Sequence, residues 1–131
     1  MFENAEKLLN ELNKLSSKEN VEFVDDLNEL STRAYKNIHE LSAIIFYFPE
    51  CPYCQNAILA LKKAEIIDKH PKTRFFFIDA NKTDAWEKEG SEHFIKVVPT
   101  IFIHAKTKTL IYKEDTYLTI ENIDKILTLN E

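Results

Sequence analysis

Cys51 and Cys54 are the only cysteines in the chain, and two residues separate them in the stretch PECPYC, residues 49–54. Thiols at this spacing can form a reversible disulfide, supply half of a metal site, or be two small residues that happen to lie close. Which chemistry is open to them depends on where the fold holds them. The stretch follows directly on the apolar run LSAIIFYF, residues 41–48, and precedes a helical pattern, so Cys51 falls at a strand-to-helix junction. Unpaired backbone N–H groups and the positive end of the helix dipole favour negative charge on a sulfur there. Pro52 suits the first helical turn, where its missing N–H costs nothing. Cys54 stands one turn further on, within disulfide reach. Its place on the helix body leaves Cys51 the more exposed sulfur, so attack is assigned to Cys51 and resolution to Cys54. Tyr53, between them, either shapes substrate access or fills space.

A second feature lies far along the chain. VVPT, residues 97–100, precedes a strand pattern. An X-Pro bond opening a strand is a candidate for a cis peptide, which would leave the backbone of Val98 free to pair with an extended substrate. Pro99 is expected to face Cys51 and Cys54.

The elements that position these residues can be read from hydrophobic spacing. Phe2, Ala5, Leu8, Leu9, Leu12 and Leu15 predict an amphipathic helix over 3–15, ended by the polar SSKEN. VEFV is a short strand, followed by a helix over DDLNELSTRAYKNIHE with Asp25 or Asp26 as N-cap and Leu27, Leu30, Ala34 and Ile38 on one face. AIIFYF has no polar position and reads as a central strand covered on both faces. One helix is expected over QNAILALKKAEIIDKH, with Ala57, Ile58, Leu61, Ala64 and Ile67 or Asp68 along its stripe and Pro71 at its end. RFFFIDA is a further apolar strand, so Phe75, Phe76 and Phe77 belong to the core. A short helix through Asp84, Trp86 and Glu87 closes at Gly90, the only glycine in the chain. VVPTIFIHA and TLIYKED, separated by KTK, predict an antiparallel hairpin, and a last helix begins near Thr119. Strand and helix alternation of this kind implies a mixed, mostly parallel sheet with helices on its faces.

The bulk properties narrow the function. At 131 residues the chain fits one domain that can fold without a disulfide or a metal. It carries 17 basic and 22 acidic residues, net −5, interspersed along the sequence, which does not indicate a nucleic-acid surface. The longest apolar run, Ala43 to Pro49, is too short to cross a bilayer, and the first residues lack the apolar core of a signal peptide. A cytoplasmic location is expected, unless a leader has been removed. A cysteine pair in a reducing compartment points to catalysis or metal binding ahead of a structural staple. Zinc needs about four ligands. His39, His70, His93 and His104 are spread over different elements and read as surface or helix-end residues, so no metal site is assigned.

A strand, CPYC at a helix start, a strand, a helix, VPT at the next strand, a hairpin and a final helix together resemble the thioredoxin-like superfamily over residues 21–130. The resemblance implies a three-layer α/β/α sandwich around a central mixed sheet. Residues 1–18 then form an extra N-terminal helix on a single domain spanning 1–131. CPYC resembles the glutaredoxin motif, whereas the length and HFIKVVPTIFI are closer to thioredoxin. Small Gram-positive proteins described as bacteriocin transport accessory proteins are similar in size and in their C-P-x-C site. The chain departs from thioredoxin in having Glu50 where a Trp precedes the first cysteine, and Ile45 in place of a buried Asp. Phe48 and YKEDTY stand where glutathione-using glutaredoxins carry a basic residue and Gly-Gly, so glutathione binding is not implied. The implied activity is thiol-disulfide exchange, with Cys51 and Cys54 catalytic and Pro52, Tyr53, Val98 and Pro99 supporting substrate. A monomer is expected that needs no cofactor, takes protein disulfides or dithiols as substrates and draws on a thiol electron donor. Two other readings stay open: an accessory module for one dedicated partner in peptide export or maturation, and metal or iron–sulfur binding through CPYC.

Overall fold

A computed structural model describes residues 2–25, 41–83, 94–107, 109–115 and 117–131, with side chains from Glu6 onward. The helix expected over 25–40, apart from Asp25, and the one through Asp84, Trp86, Glu87 and Gly90 lie outside the described residues, as do His39 and His93.

Strand β2, Ser42–Tyr47, is buried at all six positions. It pairs in parallel with β3, Arg74–Asp79, on one side and antiparallel with β4, Thr100–His104, on the other. The missing polar positions of AIIFYF follow from this: both faces of β2 are covered, so neither can be polar. Ala43, Ile45, Phe75, Phe77, Ile101 and Ile103 share one core cluster, while Ile44, Phe46, Phe76, Ile78 and Phe102 share the other. Alternate residues of each strand thus feed opposite faces.

The sheet has five strands in the order β1-β3-β2-β4-β5, with β1 at Val21–Val24 and β5 at Leu110–Asp115. It is mixed, and the expectation of a mostly parallel sheet is corrected. The pairs β1/β3 and β2/β3 are parallel, whereas β2/β4 and β4/β5 are antiparallel. The reason lies in the register. Asp79 is opposite Tyr47 and Thr100 opposite Phe46, so β3 ends and β4 begins at the same end of the sheet. A chain that re-enters there must run backwards. The β4–β5 hairpin forms without glycine, closed by the Ala105 N–H donating to the Thr109 carbonyl at 2.8 Å.

Helix α1, Phe2–Leu15, buries Leu8, Leu12 and Leu15 in the first cluster, so it covers its own domain. Leu9, assigned to the same stripe, is 46% exposed. The apolar face is narrower than the spacing suggested, because 8, 12 and 15 already complete one helical stripe. Ser16 and Ser17 end the helix by donating to the carbonyls of Asn13 and Lys14. Glu11 pairs with Lys62 of helix α2, Pro52–Lys63, and Lys18 pairs with Asp68 at 2.6 Å.

The single helix expected over 55–70 is in fact two. After α2 the chain turns at Glu65, whose φ of 57° is left-handed, and resumes as α3, Ile66–Lys69. That turn costs on the order of 1 kcal/mol for a residue with a Cβ. Beyond it, Ile66 and Ile67 are both buried in the core. His70 follows as the C-cap of α3, at a helix end as one of its two readings had it, but buried rather than on the surface; its ring contacts Asp124 and Glu131. These belong to or follow helix α4, Ile120–Asn130, which buries Ile123 and Leu127. His104 is also buried, as the last residue of β4.

Candidate dithiol site

Cys51 is the N-cap residue of α2, with φ −81° and ψ 119°, and Pro52 is the first helical residue. No side chain caps the first turn by a hydrogen bond, so the partly exposed Cys51 sits where backbone donors concentrate. Cys54 is 0% exposed and lies one turn along, packed against Ile58, Tyr47 and the rest of the first core cluster. Both cysteines are free thiols.

Three hydrogen bonds fix the loop between β2 and α2. The Cys51 N–H donates to the Phe48 carbonyl at 3.1 Å. The Phe48 N–H donates to the Cys54 sulfur at 3.4 Å. The Gln55 carboxamide donates to the Pro49 carbonyl at 2.8 Å. Gln55 was not singled out by sequence, yet it carried a signal: it stands three residues before Ile58, a polar group on the buried face of the helix.

Burial is the main reason the Cys54 thiol is pushed far above its ordinary value of 9.0. The Phe48 N–H draws it down, and the Cys51 sulfur raises it by hydrogen bonding and by charge. At neutral pH Cys54 is therefore a protonated thiol that does not compete with Cys51 for substrate. The linkage to stability has a definite sign. The folded reduced protein keeps a proton that the unfolded chain releases above the ordinary thiol value, so this contribution is complete below about pH 9 and declines as pH rises further. Urea titrations of the reduced protein between about pH 8 and about pH 10 should show stability falling by up to about 1.4 kcal/mol more per pH unit than in Cys54→Ala. Parallel curves for the two proteins would contradict this environment for Cys54.

Val98 and Pro99 come to the same end of the sheet. Because Phe46 pairs with Thr100, the segment leaving β2 and the segment entering β4 adjoin there. The Val98–Pro99 peptide is cis, Val98 is half-buried, and Pro99 is buried. Residues 97–99 lead into β4, which begins at Thr100. The Thr100 hydroxyl anchors them by donating to the Val97 carbonyl at 2.7 Å, with the Asp115 carboxylate 3.2 Å away.

Tyr53 is 54% exposed and meets Tyr117, 66% exposed, edge to face at 5.7 Å between ring centres. No local pattern marks Tyr117. It reaches the site because Asp115, at the end of β5, is paired with Thr100. The segment beyond it is tied down by Glu114, whose carboxylate accepts from the Thr119 N–H at 3.0 Å and from the Thr119 hydroxyl at 2.6 Å. Among the described residues, no three His, Cys, Asp or Glu side chains are grouped as a metal site. Nor is any described helix long and apolar enough to cross a membrane.

Neither the family models nor the curated proteins match the sequence. Solved structures do match the fold. Thioredoxin from Fasciola hepatica superposes with a TM-score of 0.66 at 15% identity, covering 83% of this chain and 98% of that one. The reduced thioredoxin pre-protein of Schistosoma mansoni gives 0.69 at 13% identity, over 86% and 99% of the two chains. The chain has the thioredoxin-like fold. Oxidised mitochondrial thioredoxin 3 from Saccharomyces cerevisiae, at 22% identity, gives a TM-score of 0.65 over 82% of this chain and 93% of that one. Within this thioredoxin-like fold, β2, β4 and α2 bring Cys51, Cys54, Val98 and Pro99 to one end of the sheet.

Proposed function

We propose that this protein is a thiol-disulfide oxidoreductase that reduces protein disulfides through a Cys51/Cys54 couple. The observation that carries the reading is the division of labour between the two sulfurs: one partly exposed at a helix N-terminus, the other buried one turn behind it. The Cys51 thiolate attacks one sulfur of a client disulfide. That S–S bond breaks, one client sulfur leaves as a thiolate and takes a proton from solvent, and a mixed disulfide joins Cys51 to the client. Cys54 loses its proton and attacks the Cys51 sulfur, releasing the second client thiol and closing the Cys51–Cys54 disulfide. The client gains two electrons and the protein loses two, which an external thiol or dithiol donor restores. This direction suits a reducing, cytoplasmic compartment. The working unit is a monomeric single domain over 1–131, its N-terminal helix an addition to the 21–130 core.

Val98 precedes the β4 ladder, and its backbone is assigned to pair with an extended client segment, beside Pro99. Tyr53 and Tyr117 form the aromatic rim of that surface. Tyr117→Ala should raise KM for a protein disulfide about three- to tenfold, with little change for a small hydroxyalkyl disulfide. Equal effects on both substrates would remove the rim from client binding.

The mixed disulfide tests the whole reading. Cys54→Ser should accumulate Cys51-linked clients in cells, separable after alkylation and released by reductant. Many clients indicate a general reductase, one dominant client indicates an accessory role, and no adduct at Cys51 contradicts the mechanism.

A further inference from the structure

We propose that Gln55 is a positioning residue that sets the poise of the Cys51–Cys54 couple; this deepens the oxidoreductase reading and rests on it. Gln55 grips the active loop at two points. Its backbone N–H donates to the Cys51 carbonyl at 3.0 Å, and its carboxamide Nε2 donates to the Pro49 carbonyl at 2.8 Å. The acceptor is a carbonyl, so the amide nitrogen, not the oxygen, faces the loop. The residue is only 5% exposed, so water competes little for either bond.

Pro49 has no N–H to donate, and beyond it Glu50 is exposed. Among the described residues, a second side-chain tether is the Phe48 N–H on the Cys54 sulfur itself, a contact to an atom that changes its bonding in the reaction. Unlike that contact, the Gln55 carboxamide bond to the Pro49 carbonyl has the same chemistry in the dithiol and the disulfide. A disulfide needs the two Cα atoms within a narrow range of separation. By holding the peptide between Pro49 and Glu50, Gln55 keeps Cys51 in reach of Cys54 before the bond forms. The effective concentration of one thiol toward the other is raised, and the internal disulfide is favoured over a lingering mixed disulfide.

Gln55→Met keeps the length and removes the donor. The equilibrium constant for closing the Cys51–Cys54 disulfide, measured against glutathione redox buffers by alkylation and mass spectrometry, should fall about tenfold, which corresponds to a potential about 30 mV less reducing. Urea unfolding should show the oxidised form losing more stability than the reduced form by the same factor, because the two differences belong to one thermodynamic cycle. A residue that merely supports the fold would lower both forms equally and leave the equilibrium constant unchanged. A change below about threefold, or equal losses in both forms, overturns the assignment. Gln55→Glu, which keeps the shape and sets an acceptor against the Pro49 carbonyl, should move the constant in the same direction. If neither variant folds, Gln55 is a residue of the fold and the proposal fails. Wild type measured in parallel separates the two levels: no reversible disulfide in wild type contradicts the oxidoreductase reading itself, whereas a normal disulfide left unmoved by both variants contradicts only the role of Gln55.

Discussion

Serine in place of Cys51 is expected to lower insulin disulfide reduction by roughly a thousandfold or more, to the uncatalysed background. The sequence holds no third cysteine to act as a second thiol nucleophile. Cys54 is fully buried and its thiol is held protonated, so it cannot take over the first attack. The alcohol at position 51 would remain un-ionised at neutral pH and is a poor partner for a disulfide sulfur. Folding should be unaffected, because Cys51 is partly exposed and makes no side-chain cap bond. Unchanged far-UV circular dichroism together with lost activity is therefore the expected pair of results. Retained activity would move the nucleophile elsewhere.

The second large effect concerns the frame that holds the dithiol. Phe77→Ala should destabilise the protein by about 3 to 5 kcal/mol and lower its Tm by roughly 10 to 20 °C. Phe77 lies in β3 with Phe23 of β1 paired on one side and Ile45 of β2 on the other. Its ring is 1% exposed and stacks on Phe23 at 5.6 Å between centres. It belongs to the same packed cluster as Cys54, so removing the ring opens a cavity in the layer between the sheet and α2. A domain with a typical total stability of about 5 to 15 kcal/mol has little margin for that loss. Thermal or urea unfolding measures it, and a shift below about 1 kcal/mol would mean that the cluster collapses around the gap.

Much of this arrangement was legible in the sequence because it depends on local pattern. AIIFYF and RFFFIDA announced strands buried on both faces, and CPYC between an apolar strand and a helical stripe announced a dithiol at a helix start. Pro52 and Thr119 marked helix starts that the structure reproduces. What escaped depends on tertiary neighbours. The break at Glu65 precedes the buried Ile66 and Ile67, and no spacing rule distinguishes it from a continuous helix. The partners of the buried His70 ring, Asp124 and Glu131, come from α4 and its C-terminal end, more than fifty residues away in sequence. Tyr117 joins Tyr53 through the pairing of β4 with β5, which the sequence around either tyrosine does not contain. The direction of β4 also escaped, since alternation of elements says which strands exist and not at which end the chain re-enters the sheet.

The most direct test is the redox state of the wild-type cysteine pair in glutathione buffers of graded potential at neutral pH. Alkylation followed by mass spectrometry should show both thiols disappearing together in a single two-electron transition, at a midpoint between about −200 and −270 mV, with the internal disulfide as the product. Two thiols that stay free across that range, or a stable glutathione adduct that never closes to the Cys51–Cys54 disulfide, would contradict it.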